Sequence, residues 1–272
     1  MSPARKAVVL KLGGELLEGS DNTARVGRLI ARASRNQQLV VVHGGGKEID
    51  AALAQASIPK HQVDGVRVTD SATLEIVVAV LAGTINTRFV AAINAAGGRA
   101  VGLTAADAGV LVVKAAKPHR ASNGEMVDLG LVGDPVSGDG APLIDLLCRN
   151  GFTPVVSSIG ASRQGQLFNV NADTLASSLA ARLRALRLVF AGGTAGVLDA
   201  TGQTIPRLDR RAVDDLVRSG TATAGMVAKL RACRAALEGG VANVAIADGR
   251  NPKLLALVAG KAADKGGWTR LT

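Results

Sequence analysis

Apolar runs that end in glycine recur along this chain. "AVVLKL" (7–12), "LVVVHGGG" (39–46), "AVGL" (100–103), "VLVVK" (110–114), "TPVVSSIG" (153–160), "LRLVFAGG" (186–193) and "ANVAIADG" (242–249) are rich in β-branched residues. They do not alternate with polar positions, which predicts strands buried on both faces. Segments of helical period lie between them. "TARVGRLIARAS" (23–34) sets Val26, Leu29, Ile30 and Ala33 on one face, and a second helix is expected from about Lys47 to Gln55. "SATLEIVVAVLAGTINTRFVAAINAAGG" (71–98) predicts a long apolar helix stopped by Gly97 and Gly98. "PLIDLLCRNG" (142–151), "TLASSLAARLRAL" (174–186) and "MVAKLRACRAALEGG" (226–240) complete the set, the last with Leu230, Cys233 and Leu237 on one face. Strands alternating with helices predict an α/β fold with a mostly parallel sheet covered on both sides. In such sheets ligands bind outside the carboxyl ends of the strands. The stretch from about Lys114 to Asp139, rich in glycine, proline and charge, is expected to hold a hairpin or flap.

With 272 residues, 47% of them hydrophobic, the chain can bury one large α/β domain or two closely joined lobes. Aromatics are scarce and tyrosine is absent, so the core falls to Val, Leu, Ile and Ala. The two cysteines, Cys148 and Cys233, sit in apolar helical patterns and form no zinc spacing or disulfide framework. No protein-held metal site is expected. "MSPARKAVVLKLGG" has only a short apolar run before Lys11, so no signal peptide is expected. No segment reads as reaching the roughly 18 apolar residues of a membrane span, and the expected location is the cytoplasm. Lys and Arg exceed the acids by ten. They are scattered and lack interleaved aromatics, which argues against nucleic acid. A small anionic substrate or a solvated basic surface fits the charge better.

The candidate chemistry lies at strand ends. Gly13-Gly14, Gly44 to Gly46 and Gly192-Gly193 each follow a strand. Such junctions present backbone N–H groups and helix N-termini to anions, although glycine also serves simply to close tight turns. Lys11 and Lys47 stand beside two of these clusters. The P-loop pattern is absent, because Val41 occupies the place of its first glycine, and no strand is followed by G-x-G-x-x-G. Phosphoryl transfer chiefly needs cations and N–H donors around the migrating group. Lys11, at the end of the first strand, can meet such a group. Lys229 lies in the first turns of a helix after "TATAGM", where an exposed surface role is the usual alternative. "NVNAD" (169–173) stands at a strand-to-helix junction. It reads either as a capping cluster or as the source of a carboxylate, Asp173, that holds two lysine ammonium groups.

"KLGGELL", "VVHGGGKEID", "GVRVTD", "VVSSIG", "NVNAD", "GVLD" and "AGMVAKL", in this order and spacing, resemble the acetylglutamate kinases of the amino acid kinase family. The resemblance runs from about residue 7 to residue 271. It implies an open three-layer αβα sandwich with an N-terminal lobe (1–168) for N-acetyl-L-glutamate and dimerisation, and a C-terminal lobe (169–272) for ATP. The implied reaction phosphorylates the side-chain carboxylate of N-acetyl-L-glutamate, with ATP and Mg²⁺, in the second step of arginine synthesis. Carried over by motif, the catalytic residues are Lys11, Asp173 and Lys229. The substrate residues are Gly45, Gly46, Arg67, Asn169 and Asn171. The nucleotide residues are Gly13, Gly14, Gly193, Thr194, Gly196, Thr221 and Thr223. The resemblance makes the long apolar helix a dimer contact. Arginine-inhibited hexameric members carry an extra N-terminal helix. The first strand here starts near residue 7, so a homodimer is expected.

Three positions, in two places, depart from the family pattern. Gly192 and Gly193 in "FAGGTAGVLD" replace Ser-Asp or Thr-Asp, and Ala224 stands where Gly or Asp is common. Both departures bear on the nucleotide rather than on the acceptor. The alternatives are a related kinase acting on carrier-bound glutamate or aminoadipate, or on carbamate, and a regulatory protein of the same fold without turnover.

Overall fold

A computed structural model describes residues 6–121, 123–218, 224–262 and 267–272. Eight strands form the central sheet: β1 (Val8–Leu12), β2 (Leu39–His43), β3 (Ala100–Thr104), β4 (Thr153–Ser157), β5 (Arg187–Gly192), β6 (Arg207–Leu208), β7 (Val244–Asp248) and β8 (Trp268–Leu271). Their order is β6-β8-β7-β5-β1-β2-β4-β3. The six from β7 to β3 run parallel, whereas β8 is antiparallel to β7 and β6 follows β8. β1 is therefore central, with its neighbours β2 and β5 coming from opposite halves of the chain.

Successive residues of a strand face opposite sides of the sheet, and here both sides are covered. Val8, Leu10 and Leu12 pack with Val26 and Ile30 of α1 (Gly19–Ser34) and with Leu81 and Phe89. Val9 packs on the other side with Leu175 and Leu179 of α6 (Ala172–Arg182) and with Leu230 and Cys233 of α8 (Ala224–Glu238). This double burial is why the strands read as unbroken apolar runs. It also fixes the direction of Lys11: two residues after Val9, it faces the side of the sheet that α6 covers.

The long helix is continuous over Ser71–Ala95. It consists of α3 (Ser71–Val78), a π-helical segment (Ala79–Ile85) and α4 (Asn86–Ala95). Asp70 caps it, accepting from the Thr73 N–H at 2.7 Å. By length and composition this helix could cross a membrane, which corrects the expectation that no segment reaches that length. Gly83, Thr84 and Asn86 interrupt the apolar run in the sequence without interrupting the helix. Its inner face, including Val77, Leu81, Ile85, Phe89 and Ile93, is fully buried.

Four further differences from the sequence reading have local causes. Of "VLVVK", only Val113–Ala115 includes strand residues. They join a second sheet with Val132–Pro135, Leu167–Val170 and Ile159–Ala161. "TPVVSSIG" is divided between the two sheets at Ser158. α7 (Arg210–Arg218) is absent from the expected helices; its short apolar stripe, Ala212, Val213, Leu216 and Val217, is set among charged residues and fully buries only Val213. β8 follows "ANVAIADG", the last strand legible in the sequence. In the 114–139 stretch, His119–Arg120 pairs with Met126–Val127 as a hairpin. A second hairpin, Gln62–Val63 with Val66–Arg67, turns through Asp64 (φ 48°) and Gly65 (φ 79°). Positive φ at both central residues is the type I′ geometry that favours Asp-Gly.

Candidate active site

"NVNAD" serves both of the roles considered for it, through different residues. The Asn171 side chain caps α6, accepting from the N–H groups of Asp173 (2.9 Å) and Thr174 (3.1 Å). Asp173, thereby fixed in the first turn, turns its carboxylate to the end of β1. Its Oδ1 lies 2.7 Å from Lys11 Nζ and its Oδ2 lies 2.9 Å from Lys229 Nζ. Lys229 also stands over the ring of Phe190, 5.5 Å from its centroid, and Phe190 is the register partner of Lys11 on β5. Lys11 is 9% exposed and Asp173 is 8% exposed. Burial alone would push the Asp173 carboxyl up. The two ammonium groups outweigh it and hold the pKa at about 2. One carboxylate against two lysines leaves one buried positive charge uncompensated, a costly arrangement unless an anion joins it.

A second pair of cations stands nearby. The Arg67 guanidinium, at the end of the Asp64-Gly65 hairpin, pairs through Nη2 with Asp50 and donates to the Gly46 carbonyl at 3.4 Å. Its Nη1 is buried and has no partner among the described residues. Lys60 shares Asp50 at 2.6 Å. Burial raises the Asp50 pKa, but Lys60 and Arg67 together hold it below the usual carboxylate range. Thr69 links Arg67 to "NVNAD": its hydroxyl donates to the Arg67 carbonyl at 3.2 Å and lies 3.2 Å from Asn169 Nδ2 as an acceptor. Arg67, Asn169, Asn171, Asp173, Lys11 and Gly44 to Gly46 line one cavity of about 230 Å³. One cation of each pair, Lys11 and Arg67, thus borders the same small space.

The glycines let backbones meet there. A Cβ on Gly14 would lie 2.9 Å from the Gly45 Cα, and one on Gly45 would lie 2.1 Å from Ile85 Cδ1. A Cβ on Gly46 would meet no protein atom within 4 Å. It would take up cavity space beside the N-terminus of α2 (Gly46–Gln55), where unpaired N–H groups attract anions. His43, fully buried before these glycines, contacts the Gly44 carbonyl through Nδ1 at 3.1 Å and Asn86 Nδ2 through Nε2 at 3.2 Å. The amide is a donor, so Nε2 accepts and Nδ1–H donates, which is the neutral ring. Burial holds its pKa down at about 4.

On the other side of β1, Gly13 and Gly14 end the strand beside Gly192 and Gly193. Gly193 and Thr194 are exposed at the end of β5. Gly196 has a packing reason to be glycine: its φ is 130°, and a Cβ there would lie 2.6 Å from Thr269 Oγ1. Thr221 and Thr223 lie outside the described residues. Lys47 is not brought to the cavity; its exposed side chain pairs with Glu18 at 3.1 Å. Sequence reasoning did not single out Asp50, Thr69, His43 or Asn86. Asp50 carries a signal only in hindsight, one helical turn after Gly46 and beside the α2 N-terminus.

A parallel sheet whose central strand ends in a buried lysine, a shared aspartate and paired glycines places the chain in a class: the amino acid kinase family model matches residues 6–248, and the chain belongs to that family. Within it, the acetylglutamate kinase of Stutzerimonas stutzeri (strain A1501) is 37% identical over 221 residues, 79% of this chain and 73% of that one. The acetylglutamate kinase of Azoarcus sp. (strain BH72) is 40% identical over 221 residues, with the same shares. Among solved structures, N-acetylglutamate synthase from Neisseria gonorrhoeae, complexed with coenzyme A and N-acetyl-glutamate, matches with a TM-score of 0.82 at 25% identity. That match covers 99% of this chain, which spans 60% of the synthase. Carbamate kinase from Giardia lamblia bound to AMP-PNP shares the fold, with a TM-score of 0.70 at 16% identity over 98% of each chain.

Proposed function

We propose that this chain transfers the terminal phosphoryl group of ATP to the side-chain carboxylate of N-acetyl-L-glutamate, the second step of arginine synthesis. The products are an acyl phosphate and ADP. The supporting observation is that one small cavity joins a buried, partly unpaired Arg67 to the Lys11–Asp173–Lys229 cluster. N-acetyl-L-glutamate is a dianion with a carboxylate at each end. The Arg67 fork takes the α-carboxylate, since a guanidinium matches that planar group bidentately. Asn169 and Asn171 border the ligand, and the backbone of Gly45 and Gly46 holds the reacting carboxylate.

Lys11 and Lys229 stabilise the charge on the migrating phosphoryl group. Asp173 is a positioning residue that fixes both ammonium groups before the substrates arrive, so little reorganisation accompanies reaction. It is no general base, because its carboxylate is committed to the lysines and a carboxylate acceptor has no proton to lose. The nucleotide takes the other side, over Gly13, Gly14, Gly193, Thr194 and Gly196, and Thr221 and Thr223 are assigned to it by motif. The strand-end N–H groups and the excess positive charge fit a polyphosphate, with Mg²⁺ neutralising the remainder. This assigns residues 1–168 to the acceptor and 169–272 to the nucleotide. Half-buried Ile76, Val78 and Val90 on the long helix support a homodimer there, and a cytoplasmic location suits the reaction.

The test is ADP release with N-acetyl-L-glutamate, glutamate, aminoadipate and carbamate in turn. The proposal expects turnover with N-acetyl-L-glutamate far above the others. Preference for another acceptor, or none, refutes it. Light scattering should give twice the monomer mass; a monomer or a hexamer contradicts the dimer.

A further inference from the structure

Glu15 follows the Gly13-Gly14 pair, and its carboxylate reaches back over the ends of β1 and β5. A Cβ on Gly13 would lie 2.4 Å from both of its oxygens. A Cβ on Gly192 would lie 3.1 Å from Oε1, and one on Gly193 would lie 3.5 Å from it. Three glycines from two adjacent strand ends therefore make the seat of one carboxylate. The close approach is at Gly13; Gly192 and Gly193, the oddest departure in the sequence, border the same carboxylate.

The neighbouring carboxylates are committed. Asp173 gives one oxygen to each lysine. Asp248, at the end of β7, accepts from the backbone N–H and Nε of Arg250 at 2.8 and 3.0 Å. Glu15 forms no hydrogen bond or ion pair among the described residues. Its carboxylate lies over the glycine ends of β1 and β5, the side assigned above to the nucleotide. A lone carboxylate beside a polyphosphate repels it unless a cation lies between them. Magnesium bound to nucleotide phosphates keeps several waters and uses one or two protein carboxylates. No group of three His, Cys, Asp or Glu side chains able to hold a metal occurs among the described residues. A divalent ion therefore arrives with the nucleotide and needs a single free carboxylate.

We infer that Glu15 is the carboxylate that receives the magnesium ion of the bound nucleotide, directly or through one of its waters, an inference that rests on the kinase reading above. Gly13 leaves room for that carboxylate, and Gly192 and Gly193 border it. The missing side chains at the end of β5 are then replaced by one brought from β1.

The experiment is calorimetric titration of the full chain with AMP-PNP, once in excess Mg²⁺ and once in EDTA. Wild type, Glu15→Gln and Glu15→Ala are compared. Glu15 is exposed, so the variants should keep the wild-type thermal midpoint. In Mg²⁺ both variants should bind roughly 10- to 100-fold more weakly, the scale of lost support at a metal site. In EDTA they should bind as well as wild type or better, because a repelling anion is gone. Equal losses in both solutions, or no loss in Mg²⁺, overturn the assignment of Glu15 while leaving the kinase reading intact. A wild-type chain that binds no AMP-PNP in either solution overturns both.

Discussion

Replacing Asp173 by leucine removes the one negative charge between two lysines. In the native chain the ammonium groups sit 2.7 and 2.9 Å from its two oxygens. Without it, two like charges roughly 6 Å apart repel by about 3 kcal/mol at an effective dielectric of about 20. Breaking a buried ion cluster by removing one partner typically costs about 3–5 kcal/mol, and the two figures agree in scale. The companion variant is Lys11→Met/Asp173→Leu/Lys229→Met, which removes all three charges and keeps the volume apolar. Replacing a buried cluster outright is often neutral or stabilising, by about 1–4 kcal/mol. The assay is urea denaturation followed by circular dichroism, with ADP release measured alongside. The single variant should lose about 3–5 kcal/mol and the triple variant should regain most of it. Both should be inactive. That outcome identifies the cluster as an arrangement kept for chemistry at the expense of the fold. A triple variant no more stable than the single one, or a single variant within about 1 kcal/mol of wild type, refutes the reasoning.

Other outcomes follow from individual side chains. Lys229→Ala should reduce kcat by a factor of about 10²–10³ with a much smaller change in KM, as for loss of a preorganised donor. Near-normal turnover would return it to a packing role on Phe190. Arg67→Lys should raise KM for N-acetyl-L-glutamate and leave KM for ATP near normal, because lysine cannot copy the fork; equal damage to both would remove Arg67 from the acceptor side. Acid stability should fall in two windows. Buried His43 has a folded pKa of about 4 against roughly 6.5 when unfolded. The unfolded chain therefore binds the extra proton, and stability declines as pH falls from 6.5 towards 4. Asp173, held at about 2, adds a further loss as pH falls from about 4 to 2. A His43→Gln variant should flatten the upper part of a plot of Tm against pH, and an unchanged slope would exclude His43 as its source.

Sequence patterning discloses the parts of this molecule whose physics is local. Strands buried on both faces, such as Val8–Leu12 and Leu39–His43, need unbroken apolar runs and show them. Lys11 is conspicuous because a lysine inside such a run is expensive to bury. Asp173 stands out as an acid at a helix start that a neighbouring Asn already caps. Features set by distant partners left no such mark. Arg67 and Asp50 meet through the fold of a hairpin against a helix, and Asn86 reaches His43 from 43 positions away. β8 lies between β6 and β7, antiparallel to β7, and its Thr269 is fully buried. Its hydroxyl accepts from the Val197 N–H at 2.8 Å and donates to the Ile205 carbonyl at 2.7 Å, which no apolar pattern reveals.

The π-helical segment at Ala79–Ile85 makes the active site sensitive to how the long helix is wound as well as to side-chain identity. Across it the Asn86 N–H reaches back five residues to the Leu81 carbonyl. Ile85 and Leu81 press on the Gly45 Cα, and Asn86 holds His43. An α-helix turns by roughly 100° per residue. Deleting one residue between positions 79 and 85 would let the segment relax to ordinary α-helix with both halves near their present orientation, whereas winding all of its residues as α-helix would swing one half of the long helix by about that angle relative to the other. Either the wall behind Gly45 or the amide on His43 would turn away. The helix would persist, with the same composition and nearly the same helicity. A lineage whose substitutions favoured that winding would look intact in a spectrum and in a sequence comparison, and would have lost the support under its substrate.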